Sequence, residues 1–381
     1  MMIVAERLHT VQEYYFSKKL REVRGLIVGG RPIINMGIGS PDLPPPPEAV
    51  TELQNVLLQP GAHQYQSYQG LPELREAMVS FYLDRFGVGL DAKTEILPLI
   101  GSKEGIMHIS LAFLNVGDAV LIPNPGYPTY TSVTKLVGAE PIMYNLVEEN
   151  NWLPNISELE QLDLSKVKLM WISYPNMPTG ARITPKAMED LVAFAKTHDI
   201  LLVNDNPYSF VLNPNPTSIL QVKGAKDVAL ELNSLSKTFN MAGWRVGMVM
   251  GSPEHVDAVL KVKSNMDSGM FYGIQKGAVA ALQSGENWFA ALNKKYKERR
   301  DVMFQLIDKL SCTYDKNAAG MFVWAKLPEG SKPSEDFIDE VLYGKNIFIA
   351  PGTIFGSNGE GYIRFSLCVE KEKIEEALDR F

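Results

Sequence analysis

The sequence predicts an α/β protein: a mostly parallel central sheet flanked by helices, followed by a smaller α+β part. Two observations carry that expectation. Between residues 95 and 250, short apolar runs alternate with stretches of helical spacing, the pattern of strands joined by crossover helices. After residue 285 the alternation gives way to one long helical stretch. A chain of 381 residues has room for two to three domains at roughly 150 residues each.

The elements follow in order. Pro44-Pro45-Pro46-Pro47 fixes an extended, stiff connector between the N-terminal segment and the next helix. Residues 95–100 read as a strand, 104–114 as a helix, 119–122 as a strand, 129–137 as a helix and 141–144 as a strand. A strand at 168–173, a helix at 185–198 and strands at 200–204, 228–233 and 246–250 complete the set. In residues 286–310, Trp288, Phe289, Leu292, Tyr296, Met303 and Leu306 recur near helical spacing, so one long helix is expected there. A strand near 321–326, a helix near 334–342, a strand near 362–367 and a terminal helix come after it. The expected division is an N-terminal segment, 1–45, packing with a small C-terminal domain, 286–381, and a large domain, 46–285, the long helix crossing between domains. The basic run from Lys294 to Arg300 lies on that helix and reads as a solvated face.

Composition removes several function classes. Lys and Arg number 37 against 44 Asp and Glu, a net charge of −7, which does not suit general adhesion to nucleic acid or an anionic membrane. Hydrophobic residues at 45% exclude wholesale disorder. The chain has no apolar run of about 18 residues, so no membrane span is expected. The start, Met1-Met2-Ile3-Val4-Ala5-Glu6-Arg7, lacks the basic-then-apolar plan of a secretory signal. Two cysteines, Cys312 and Cys368, exclude a disulfide framework and favour a reducing, cytoplasmic setting.

Common reaction plans also drop out. The five histidines show no zinc-ligand spacing, and neither HExxH nor a phosphate-binding GxxxxGK[ST] occurs. Gly37-Ile38-Gly39 begins like a dinucleotide loop, but its third glycine position is Asp42, which disfavours a nicotinamide oxidoreductase.

In open α/β sheets ligands bind at the carboxyl ends of strands, and the residues there form an unusual set. Ser234-Leu235-Ser236-Lys237, followed by Gly243-Trp244-Arg245, combines an amine able to form a Schiff base with hydroxyls and a guanidinium able to hold phosphate. Asp205, leaving a buried strand ahead of Pro207 and Tyr208, suits a protonated heterocyclic nitrogen. Gly101-Ser102-Lys103 opens a helix whose free N–H groups favour an anion. Tyr127, on the Pro123-Asn124-Pro125-Gly126 turn, can stack on a flat ring. Arg364, in an otherwise apolar strand, calls for a carboxylate. Together they converge on a phosphorylated pyridine aldehyde plus an amino-acid carboxylate.

With these residues the chain resembles the class I/II aminotransferases, pyridoxal 5'-phosphate (PLP) enzymes of fold type I with the aspartate aminotransferase-like fold, from about Ile34 to the C-terminus. The motifs are Ser234-x-Ser236-Lys237 with Gly243-x-Arg245, Asp205-x-x-Tyr208, Pro178-Thr179-Gly180, Tyr65-x-x-x-x-Gly70 and Arg364-x-Ser366. The resemblance implies Lys237 as the Schiff-base lysine, Asp205 on the pyridinium proton and Tyr208 on the ring's phenolic oxygen. It implies Ser234, Ser236, Arg245 and the N–H groups of Ser102 and Lys103 on the phosphate, and Tyr127 on the ring face. Arg364, with the backbone at Gly39, is expected on the substrate carboxylate. It further implies ping-pong exchange between an L-amino acid and a 2-oxo acid, in a homodimer whose sites lie at the interface, Tyr65 reaching the neighbouring subunit's cofactor. A C–S lyase of the same fold and a non-catalytic PLP-binding regulator are the alternatives. One position departs from the family pattern: Met177 stands where an asparagine donates to the phenolic oxygen, and Asn176 lies one place earlier. A thioether cannot donate, so either Asn176 compensates or the cofactor–lysine imine holds its proton to higher pH than is usual in the family.

Overall fold

The computed structural model describes residues 4–11 and 15–381. A short strand β1 (Ile34–Asn35) precedes the strands of the main sheet: β2 (Ile96–Leu99), β3 (Ala119–Asn124), β4 (Glu140–Asn145), β5 (Val167–Ile172), β6 (Leu201–Asp205), β7 (Ala229–Ser234) and β8 (Gly247–Met250). The C-terminal part adds β9 (Thr313–Tyr314), β10 (Phe322–Lys326), β11 (Ile347–Phe348), β12 (Ala350–Pro351) and β13 (Tyr362–Ser366).

The seven main strands lie in the order β2-β8-β7-β6-β5-β3-β4. β8 runs antiparallel to both neighbours, and the other pairs are parallel. β3, β6 and β7 are buried along their whole length, whereas the edge strand β4 is largely open. Burial on both faces is what parallel strands with crossover helices require. Successive side chains point to opposite faces. Leu121, Met170, Leu202 and Ala229 pack on one side with Tyr82 and Phe239. Val120, Trp171, Val203, Leu230 and Leu232 pack on the other with Ile106, Ile109 and Tyr130. Two crossover helices, Pro128–Leu136 and Pro185–His198, begin with proline at the first turn, where its missing N–H costs nothing. Thr184 caps the second by accepting from the Ala187 N–H.

A separate core forms from both ends of the chain. The helix Glu286–Lys309 buries Leu292, Tyr296, Met303 and Leu306 in a cluster with Phe16, Val23 and the strands of a second sheet, β12-β13-β10-β9. β1 pairs in parallel with β11, Ile34 opposite Ile347. The basic run on the long helix is not simply a solvated face. Arg299 is 5% exposed, forks onto both Asp42 oxygens at 2.7 Å and donates to the Leu367 carbonyl. Its planar fork suits this buried two-oxygen contact. Among the described residues no helix is long and apolar enough to cross a membrane.

Candidate active site

The parallel strands β2, β3, β5, β6 and β7 end on the same side of the sheet. β8 runs the other way, so the residue leading into it, Arg245, stands at that side too. There a cavity of about 480 Å³ opens.

At one end of it, Gly101 caps the helix Ser102–Phe113 with φ +88°. A Cβ at Gly101 would lie 2.0 Å from Arg245 Nη2, and one at Gly247 would lie 2.6 Å from the Ser102 nitrogen. Glycine at both places lets the guanidinium and the helix N-terminus share one concave corner. Ser102, Lys103, Ser234 and Ser236 complete its lining. The Ser234 and Ser236 hydroxyls are 2.9 Å apart, and Ser234 Oγ accepts from the Ser236 N–H. Helix N–H groups, two hydroxyls and the Arg245 guanidinium form an anion cradle.

In the centre, Lys237 Nζ donates to the Gly39 carbonyl at 2.7 Å. Burial pushes its ammonium pKa down, and the neighbouring Arg364 and Arg245 add to the effect. Gly39 is closely packed, since a Cβ there would meet the Phe322 ring at 2.2 Å.

Deeper in, Asp205 ends β6. Its Oδ2 accepts from the Tyr130 hydroxyl at 2.8 Å, while Oδ1 is buried without a partner. Burial pushes this carboxyl up to about 6. Tyr130 is itself clamped by stacking on Trp171, 4.8 Å between ring centroids. Tyr127 meets Tyr130 edge-on and lines the cavity, as does Tyr208, whose hydroxyl is pushed up by burial.

Arg364 forms the opposite wall. It is 4% exposed, donates to the Gly37 carbonyl at 2.8 Å and approaches the Met177 sulfur at 3.3 Å. Its guanidinium carbon lies 3.9 Å from the Phe322 ring centroid and 4.6 Å from that of Phe355, so aromatic faces support the cation.

The structure thus brings together Gly39, Ser102, Lys103, Tyr127, Asp205, Tyr208, Ser234, Ser236, Lys237, Arg245 and Arg364. It does not bring Asn176 or Tyr65 to this cavity. The Asn176 amide is spent inside its own turn, Nδ2 donating to the Ser173 carbonyl and Oδ1 accepting from Thr179, and Met177 faces the cavity in its place. Tyr65 stands 90% exposed on the surface. Sequence reasoning missed Tyr130, although it lies one helical turn from Tyr127, and it missed the aromatic support from Phe322 and Phe355. It also missed a grouping of Glu104, His108 and Asp267, whose ligand-type atoms lie within 4.8 Å of one another. The Lys263 ammonium, 2.8 Å from Asp267, already supplies a cation there.

These residues fit pyridoxal phosphate. A buried carboxylate oxygen without a partner calls for a cation or a donor, and a protonated ring nitrogen is one. The anion cradle and the buried amine match the phosphate and the aldehyde. The fold and site are those of a PLP enzyme of fold type I.

Comparison with known proteins gives the family. Residues 31–381 match the model for aminotransferase class I and II. The LL-diaminopimelate aminotransferase of Maridesulfovibrio salexigens is 42% identical over 380 residues, covering 99% of this chain and 98% of its own. A substrate-bound BacF structure from Bacillus subtilis superposes with a TM-score of 0.95 at 36% identity, over 100% of this chain and 97% of that one. A Thermus thermophilus aspartate aminotransferase mutant, 23% identical, shares the fold with a TM-score of 0.92 over 100% and 99% of the two chains. The chain belongs to the class I and II aminotransferases. It is a PLP-dependent aminotransferase acting on amino-acid and 2-oxo-acid substrates.

Proposed function

We propose that Lys237, Asp205 and Tyr208 are the catalytic residues of this transamination. The single observation that carries the assignment is the unpartnered Asp205 oxygen opening on the same cavity as the buried Lys237 amine. Asp205 would hold the ring nitrogen and Tyr208 the phenolic oxygen. Ser234, Ser236, Arg245 and the N–H groups of Ser102 and Lys103 would hold the phosphate, with Tyr127 against the ring face. Arg364 would take the substrate α-carboxylate beside Gly39.

Bound PLP supplies a carbonyl for condensation with amines and an electron sink for the pair released at the substrate Cα. The chain supplies the rest. Arg364 anchors the carboxylate and so orients the Cα–H bond. Burial favours the neutral form of Lys237, which makes Nζ a base able to take the α proton. The same Nζ, now an ammonium, is the acid that returns a proton. Asp205, ionised opposite a cation, keeps that cation protonated. The second half-reaction reverses these proton movements with another 2-oxo acid.

The relatives' names point to LL-diaminopimelate as a donor to test first. We also propose a cytoplasmic homodimer in which Tyr65, exposed on one subunit, reaches the neighbour's cofactor phosphate. The chain divides at residues 45 and 285 into an N-terminal segment, a large cofactor domain and a small domain. Incubation of Lys237→Ala with PLP, amino-acid donors and 2-oxo acids is the test of the catalytic assignment. Turnover should be lost while the phosphate-bearing cofactor is still bound; sustained wild-type-like exchange would refute the role of Lys237. Measurement of ammonia and pyruvate alongside separates a C–S lyase from a transaminase.

A further inference from the structure

Directly beneath the strand ends lies a second carboxylate that the reaction does not use. Glu231, in β7, is 0% exposed and has no ion-pair partner among the described residues. Its oxygens accept from four donors: the Tyr82 hydroxyl at 2.8 Å, Asn204 Nδ2 at 3.1 Å, the Ile219 N–H at 2.9 Å and, more distantly, Asn206 Nδ2 at 3.4 Å. Burial pushes Glu231 up, and the bonds from Ile219, Tyr82 and Asn204 pull it back. Four donors and no acceptor suit a carboxylate rather than a carboxylic acid.

The partners of Glu231 form a pattern. Asn204 and Asn206 are the two residues flanking Asp205, and in the sheet Asn204 is the register partner of Glu231. Side chains alternate between faces, so Glu231 grips Asn204 and Asn206 from the face opposite to Asp205. The Tyr82 hydroxyl, donating to Glu231, accepts from Asn233 Nδ2 at 2.8 Å; Asn233 Oδ1 accepts from the Ser234 N–H at 2.7 Å. Asn204 Oδ1 accepts from the Tyr174 N–H, at the head of the turn that carries Met177. One carboxylate therefore ties together the ends of β5, β6 and β7.

We propose that Glu231 is a positioning residue of the cofactor site, fixing Asp205 relative to the Ser234–Lys237 strand end through Asn204, Asn206 and the Tyr82–Asn233 link. This inference rests on the PLP site assigned above. A buried network of this kind is costly when half-satisfied. Glu231→Gln replaces an acceptor oxygen by a donor, so a donor faces a donor. Tyr82→Phe removes one oxygen from the same link with little change of shape.

The test is fluorescence titration of each purified apoprotein with PLP, with Tm measured beside it. Both variants should bind PLP on the order of tenfold or more weakly, as loss of outer-shell support does elsewhere. In the loaded Glu231→Gln enzyme the midpoint of the visible absorbance titration should move to lower pH, because a negative charge beneath the site is gone. Folded Glu231→Gln protein with wild-type PLP affinity overturns the proposal, whatever its Tm. If that variant does not fold, wild-type affinity in Tyr82→Phe overturns it equally. Wild-type protein that takes up no PLP would instead refute the site assignment, so the two failures are distinct.

Discussion

Asp205→Asn should make the apoprotein more stable at pH 8 while disabling the enzyme. The carboxyl, 6% exposed, is pushed by burial from the ordinary 3.8 up to about 6. The folded chain thus binds this proton more tightly than the unfolded chain. Ionised Asp205 therefore weakens the apo fold by an amount that is absent below pH 3.8, grows as pH rises towards 6 and stays constant above it. At about 1.4 kcal/mol per pH unit that cost reaches about 3 kcal/mol. Asparagine removes the charge and keeps an acceptor for Tyr130, but leaves an N–H group where Oδ1 has no partner, which takes back about 1 kcal/mol. The net gain is about 2 kcal/mol at pH 8, or a Tm rise of about 4 °C for a large domain. Thermal melts of both apoproteins from pH 4 to pH 8 check this. Near pH 4 the gain should vanish, and PLP should raise the wild-type Tm more than that of the variant. A gain that does not change with pH, or a variant less stable at pH 8, would refute the argument that uncompensated burial shifts Asp205.

Gly101→Ala should reduce PLP affinity with little change in secondary structure. The new Cβ would meet Arg245 Nη2 at 2.0 Å, on a backbone with φ +88° that alanine resists; equilibrium dialysis measures the effect. Arg364→Lys keeps the charge but loses the planar fork. It should lower kcat/KM for amino-acid donors on the order of a hundredfold, the cost of a misplaced substrate, with the cofactor absorbance unchanged in steady-state and spectral assays. Met177→Asn offers the phenolic oxygen a donor that the Asn176 turn withholds. Its loaded enzyme should release the imine proton at lower pH than wild type, read as the midpoint of a visible absorbance titration. Tyr65→Ala should weaken PLP binding although Tyr65 lies outside the cavity of its own chain, and co-expressed hybrids with Lys237→Ala should regain one working site in a shared-site dimer.

Much of this was legible because each strand end carries its chemistry in consecutive residues. Ser234, Ser236 and Lys237 follow an apolar run, and Asp205 leaves one, so placing the strands places the functional groups. What local sequence could not show is which side chain a turn consumes. Asn176 and Met177 are adjacent, and only the folded turn reveals that the amide bonds inward to Ser173 and Thr179. Tyr130 was hidden for a related reason: its bond to Asp205 joins residues 75 positions apart. Glu231 did leave a signal. Glu231 and Asn233 alternate with Leu230 and Leu232 in a strand that helices cover on both faces, and polar residues at period two in such a strand need buried partners. Arg299 shows the opposite case: a charge within a basic run suggests a solvated face, yet its helical position points it at Asp42.

The core that β1 shares with β11 has a consequence for the order of synthesis. Every side chain of the anion cradle, together with Lys237 and Asp205, has left the ribosome once residues up to β8 have emerged. Arg364 and the partner strand of β1 arrive roughly a hundred residues later. Domains fold as units while the chain grows, so the proposed cradle is expected to form while Gly37 and Gly39 still wait for the wall they will face. On the proposed site assignment, an enzyme truncated near its C-terminus is therefore expected to bind PLP without exchanging an amino group.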